Sequence, residues 1–129
     1  MNFPKDLIYT PEHEWIRVEG KTATVGITDY AQDQLGDIVF VELPEEGESV
    51  KAGDTFGVVE STKSVSDLYV PVSGKVLECN DPLLESPEII NEDSYGEGWM
   101  IKIEMSETSQ LESLLSPEAY EKLIQEEGA

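Results

Sequence analysis

The chain has 129 residues, a length that suits one domain and buries about two-thirds of the surface an extended chain exposes. Its 28 acidic residues against 8 basic ones give a formal net charge of −20, which excludes a phosphate backbone or an anionic membrane surface as a partner. Such a charge keeps a protein soluble and monomeric and suits brief encounters with basic clefts on other proteins.

In chain order, Met1 to Tyr9 lacks the apolar region of a signal peptide and the Arg-rich pattern of a transit peptide. The expected compartment is the cytoplasm, or the mitochondrion if a presequence was removed. His13 to Val18 reads as a strand, closed by the turn residues Glu19-Gly20-Lys21. In Thr22 to Ile27, Ala23, Val25 and Ile27 alternate with smaller or polar residues, which predicts a half-buried strand. Thr28 or Asp29 caps a short helix, Tyr30 to Leu35, that Gly36 ends. Ile38 to Val41 is continuously apolar and predicts a strand covered on both faces. Pro44 to Gly47 and Lys51 to Asp54 are turns. Phe56 to Ser61, Val65 to Val70 and Lys75 to Cys79 are three further strands. Cys79, the only cysteine, cannot form an internal disulfide and reads as a small core residue in a reducing compartment. From Asn80 to Asn91, Pro82 and Pro87 prevent a long helix. Trp99 to Met105 closes the sheet. Beyond it Leu111, Leu114 and Leu115, then Tyr120, Leu123 and Ile124, fall at helical spacing, which predicts two amphipathic helices, the second opened by Ser116-Pro117.

The segment Gly53 to Gly74 carries the chemistry. Lys63 lies midway between two strand-like runs, its neighbours Ser61, Thr62, Ser64 and Ser66 are small hydroxyl residues, and Gly53 and Gly74 mark turns at nearly equal distances. This predicts a tight hairpin with a lysine at its tip. Attachment of a swinging arm needs such an amine: small neighbours leave room for a modifying enzyme, and a rigid hairpin fixes the tip. A tethered cofactor also has a raised effective concentration at any docked partner. A Schiff-base enzyme would instead need a desolvated lysine or a cationic neighbour, and Lys63 sits among hydroxyls and acids.

With Glu60 and Asp67 flanking it, this segment resembles the lipoyl-attachment hairpin of the glycine cleavage system H-protein family. The resemblance extends over nearly the whole chain, through His13-Glu14-Trp15, Val25-Gly26-Ile27-Thr28, Gln34-Leu35-Gly36-Asp37, Val39 to Pro44, Glu60 to Ser64, Ser66 to Tyr69, Pro71 to Gly74, Gly98-Trp99 and Leu111 to Leu115. It implies a mostly β fold, a lipoyl/biotinyl-type β-sandwich (barrel-sandwich hybrid) with a short internal helix and C-terminal helices. One lipoyl-carrier domain would span residues 1–129, with a core sheet over about 13–105 and helices over about 106–127. It also implies lipoate on Lys63, with Glu60 read by a lipoate ligase or a lipoyl/octanoyl transferase. A non-catalytic carrier of this family passes the aminomethyl group of glycine from a pyridoxal-phosphate glycine decarboxylase to a tetrahydrofolate-dependent aminomethyltransferase, and dihydrolipoamide dehydrogenase reoxidises the arm. By the same resemblance Glu14, Asp67 and the helix bearing Tyr30 and Gln34 form a cleft that shelters the loaded arm. Relatives with histidines at the positions of Tyr30 and Gln34, and smaller residues at that of Glu12, mark a departure at the cleft. His13, the sole histidine, reads as a packed strand residue. An H-like donor that relays lipoyl or octanoyl groups is the alternative with an identical attachment site.

Overall fold

The computed structural model describes residues 2–128. Among them nine strands form: β1 (Ile8–Tyr9), β2 (Glu14–Glu19), β3 (Thr22–Ile27), β4 (Ile38–Glu42), β5 (Ser49–Val50), β6 (Thr55–Ser61), β7 (Val65–Tyr69), β8 (Gly74–Cys79) and β9 (Ile101–Met105). All pairings are antiparallel. One sheet runs β1-β2-β3-β9-β8-β5 and the other β4-β6-β7. The apolar faces of both meet in one core, in which Val25, Ile101 and Ile103 of the larger sheet join Val41, Val59 and Leu68 of the smaller. This is the expected β-sandwich. The two-residue strands β1 and β5 are too short to leave a periodicity in the sequence.

Four helices complete the fold: α1 (Asp29–Leu35), α2 (Pro82–Glu85), α3 (Ile89–Glu92) and α4 (Pro117–Gly128). Thr28, not Asp29, caps α1, its hydroxyl accepting the N–H of Ala31. Gly36 ends α1 at φ 83°, a conformation side-chain-bearing residues rarely adopt, and its N–H returns to the Gln32 carbonyl.

Three expectations are corrected. The strand β3 is buried on both faces because the outer side of the larger sheet carries a second cluster, Leu7, Tyr9, Trp15 and Tyr120. The strand β4 is covered on one face only, with Val39 and Phe40 exposed, because its pairing with β6 is irregular between Ile38 and Phe40. The first C-terminal segment, Thr108–Ser113, is a 3-10 helix. It cannot lengthen into an α-helix because Leu115 is drawn out to pair with Tyr9, N–H to carbonyl in both directions.

A helix of 12 residues has little stability alone in water, so α4 depends on what it buries. Tyr120 is fully buried, stacked on Tyr9 with ring centroids 4.6 Å apart. Trp15 is fixed in the same cluster by its indole N–H, which donates to the Ser94 carbonyl at 2.9 Å. It lies across from Gly26, where a Cβ would come within 2.7 Å of the indole. With the ring held at that same edge by the bond from its N–H, Gly26→Ala is expected to cost about 1–3 kcal/mol through overpacking. Urea denaturation checks this, and an unchanged midpoint would show that the indole can yield.

Candidate functional site

The β6–β7 hairpin turns over Ser61 to Ser64, with Ser61 N–H donating to the Ser64 carbonyl at 2.8 Å. Two-residue hairpin loops usually need left-handed residues, yet neither Thr62 nor Lys63 has positive φ. The Ser61 hydroxyl closes the turn instead, accepting the N–H groups of Lys63 at 3.2 Å and Ser64 at 3.1 Å. Thr62 N–H donates to the Asp37 carbonyl at 3.1 Å, tying the tip to the loop after α1. Lys63 is exposed. Its stem lies along Gly36, where a Cβ would approach Lys63 Cε to 2.8 Å. The loop under the lysine is stapled by Asn91, whose Nδ2 donates to Gln32 Oε1 and to the Gly36 carbonyl, both at 2.9 Å, while Oδ1 accepts the Ile38 N–H. Sequence reasoning missed Asn91, since nothing in its local context marks it.

A cavity of about 250 Å³ opens beside this loop. Gln34, Leu35 and Tyr30 of α1 form one wall, Ser66, Asp67 and Leu68 of β7 another, and Glu12, His13 and Glu14, where the chain enters β2, a third. All four of the sequence-predicted cleft residues, Glu14, Tyr30, Gln34 and Asp67, therefore border one space. A larger groove of about 770 Å³ runs along Glu42 to Glu48 and Thr55 to Val58 and holds none of them.

The four differ in what they present. Glu14 is 2 % exposed. Its Oε2 accepts the Tyr69 N–H at 2.7 Å and its Oε1 the Thr10 hydroxyl at 3.4 Å. Burial pushes its carboxyl from 4.5 up to about 8, aided by the charge of Glu12 and opposed by the bonds from Tyr69 and Thr10. Surface solubility cannot be its role. Asp67, in contrast, is exposed. It lies on β7 between Ser66 and the buried Leu68 and lines the cavity with them, at its solvent-exposed rim.

His13 is not in a strand. It occupies the left-handed region at φ 70°, just before β2. Its Nδ1 lies 2.9 Å from the Tyr120 hydroxyl and its Nε2 3.1 Å from Glu127 Oε2. The Tyr120 hydroxyl also meets Thr28 Oγ1 at 2.7 Å. The imidazole thus binds α4 to the cavity wall, a packing role as expected but in a different conformation.

A two-sheet sandwich that presents a lysine at a rigid, solvent-exposed hairpin tip, next to a cavity holding one buried carboxyl, has the form of a carrier domain for a covalently attached arm. The family model for the glycine cleavage H-protein matches residues 7–127. The glycine cleavage system H protein of Carboxydothermus hydrogenoformans is 62% identical over 125 residues, 97% of this chain and 96% of that protein. Its counterpart in Rubrobacter xylanophilus is 60% identical over 124 residues, 96% of each chain. The crystal structure of a glycine cleavage system H protein from Mycobacterium marinum superposes with a TM-score of 0.84 at 40% identity, covering 98% of this chain and 99% of that one. The chain belongs to the glycine cleavage H-protein family, which provides the lipoyl carrier of the glycine cleavage system.

Proposed function

We propose that Lys63 is the residue acylated with lipoate, and that the cavity walled by Glu14, Tyr30 and Gln34 receives the arm when it is loaded. The observation that carries this reading is the exposed Lys63, its stem resting on Gly36 at the end of the helix that walls the cavity. Lipoate held in amide linkage by Lys63 would supply a disulfide able to take up the aminomethyl group left when glycine loses carbon dioxide. Ser61 and Asp37 hold the tip rigid, so the amine projects in a fixed direction. Ile27, Leu35, Val59 and Leu68 line the cavity with apolar surface that excludes water. Glu14 faces a cation there and gives its proton up, since a nearby opposite charge favours the ionised carboxylate.

In this reading the protein performs no catalysis. The chemistry lies with a pyridoxal-phosphate glycine decarboxylase, a tetrahydrofolate-dependent aminomethyltransferase and dihydrolipoamide dehydrogenase, and the molecule supplies position and shelter. A lipoate ligase or a lipoyl/octanoyl transferase installs the arm, and the setting is the cytoplasm. The engagement of both His13 nitrogens by Tyr120 and Glu127 supports a structural histidine rather than a general base.

Peptide mass mapping after incubation with a lipoate ligase tests the assignment. The added mass is expected on Lys63, and a substantial increment on Lys51 or Lys75 would overturn it. Glu60 pairs across the sheet with Phe40 and Val65, three residues before Lys63 and within reach of an enzyme enclosing the tip. Glu60→Gln is expected to slow acylation several-fold while changing stability by less than about 0.5 kcal/mol, as surface substitutions usually do. Equal acylation rates for parent and variant would remove Glu60 from the recognised surface.

A further inference from the structure

Six large apolar side chains are exposed among the described residues, and three of them share one face of the three-stranded sheet: Val39 at 54 %, Phe40 at 47 % and Val65 at 63 %. The β4 irregularity between Ile38 and Phe40 produces this arrangement. Where a bulge sets two residues against one, successive side chains can face the same way. Val39 and Phe40 therefore both turn out while Ile38 and Val41 stay in the core. Across the sheet Phe40 pairs with Glu60 and Glu60 with Val65, so the row runs from Phe40 over Glu60 to the residue two places beyond Lys63. The next row on the same face is Glu42, Val58 and Asp67, and Asp37 lies exposed just before β4. The patch is thus three apolar side chains set around Glu60, with a further acidic rim of Glu42, Asp67 and Asp37. It stands on an edge strand, where exposed apolar residues are an aggregation hazard that proteins ordinarily remove.

We propose that the Val39–Phe40–Val65 patch is the docking surface for the enzyme that acylates Lys63, received there by an apolar pocket rimmed with lysine or arginine. The inference rests on the carrier reading and adds the partner's chemistry. An acylating enzyme must bring its active site to the Lys63 amine itself, so it buries whatever surface lies within two residues of that lysine. Enzymes that use the finished arm are reached by its length and need not cover the hairpin. The acidic rim on a chain of net charge −20 selects a basic partner surface.

The test is the initial rate of acylation against apo-protein concentration, with purified lipoate ligase, ATP and lipoate. Phe40→Ser is expected to raise KM about tenfold with kcat within twofold, and Phe40→Leu to restore most of the loss. Leu77→Ser, which removes an exposed apolar side chain from the other sheet, is expected to match the parent. Phe40→Ser protein driven to full acylation should then support glycine decarboxylation at the parent rate. An unchanged KM, or a defect that appears only in decarboxylation by the acylated variant, would overturn the proposal, the latter assigning the surface to a downstream enzyme. Failure of the parent itself to be acylated on Lys63 would overturn the carrier reading, a result distinct from either.

Discussion

Replacing Lys63 with arginine is expected to lower glycine decarboxylation by the reconstituted system about 10²-fold or more, without moving the thermal unfolding curve. The size of the loss follows from tethering: an arm on a short linker acts at millimolar effective concentration, and severing it forfeits a factor of about 10² to 10⁴. Free lipoamide at micromolar concentration should therefore restore little. The guanidinium keeps the positive charge, but it has no amine that an acylating enzyme can convert to an amide. Stability is untouched because Lys63 is exposed, and neither ion pair among the described residues, His13–Glu127 and Lys102–Glu78, involves it. Decarboxylation rates and melting temperatures of Lys63→Arg and parent protein check both halves. Substantial activity in the variant would mean that the arm is attached elsewhere.

Glu14→Gln is expected to stabilise the protein at alkaline pH and to weaken its hold on the aminomethyl load. The folded carboxyl titrates near 8 and the unfolded one near 4.5. Between those values the folded state keeps a proton that the unfolded state has lost, so this group's contribution to stability falls as pH rises through that window. It is fully present below about 4.5 and fully lost above about 8. At roughly 1.4 kcal/mol per pH unit the whole effect is at most about 4–5 kcal/mol. Glutamine keeps an acceptor for the Tyr69 N–H without the ionisation. The variant's gain in melting temperature should therefore be near zero at pH 4.5 and grow up to pH 8 to 9; equal gains at both ends would show that Glu14 titrates normally. In the loaded protein the same change removes the charge facing the arm's cation. A charge-assisted hydrogen bond contributes about 1.5–3 kcal/mol, so hydrolytic loss of the load should accelerate about tenfold or more, read as ammonia release without the transferase. Asp67→Asn, at the exposed rim of the same cavity, is expected to speed ammonia release as well, by a smaller factor because solvent screens an exposed charge.

Features set by neighbours along the chain were legible in the sequence. The Lys63 hairpin, the Thr28 cap, the Gly36 stop and the turns at Gly20, Gly47 and Gly53 each depend on a few adjacent residues, whose hydrogen bonds and φ preferences are local. The alternating strands likewise announced two apolar faces and hence a sandwich, and the resemblance placed Glu14, Tyr30, Gln34 and Asp67 together. Only the tertiary structure could decide what those residues present. The buried Glu14 takes the backbone N–H of Tyr69, 55 positions away, and Asn91 fixes the loop beneath Lys63 from 53 positions beyond Ile38. His13 takes its left-handed conformation where it meets Tyr120, 107 positions on. The irregularity that turns Val39 and Phe40 outward is a property of β4 against β6, and an apolar run by itself reads as doubly covered. A residue's backbone preference travels with its neighbours, whereas its burial, and with it the charge it carries, is set by whichever distant segment the fold lays across it.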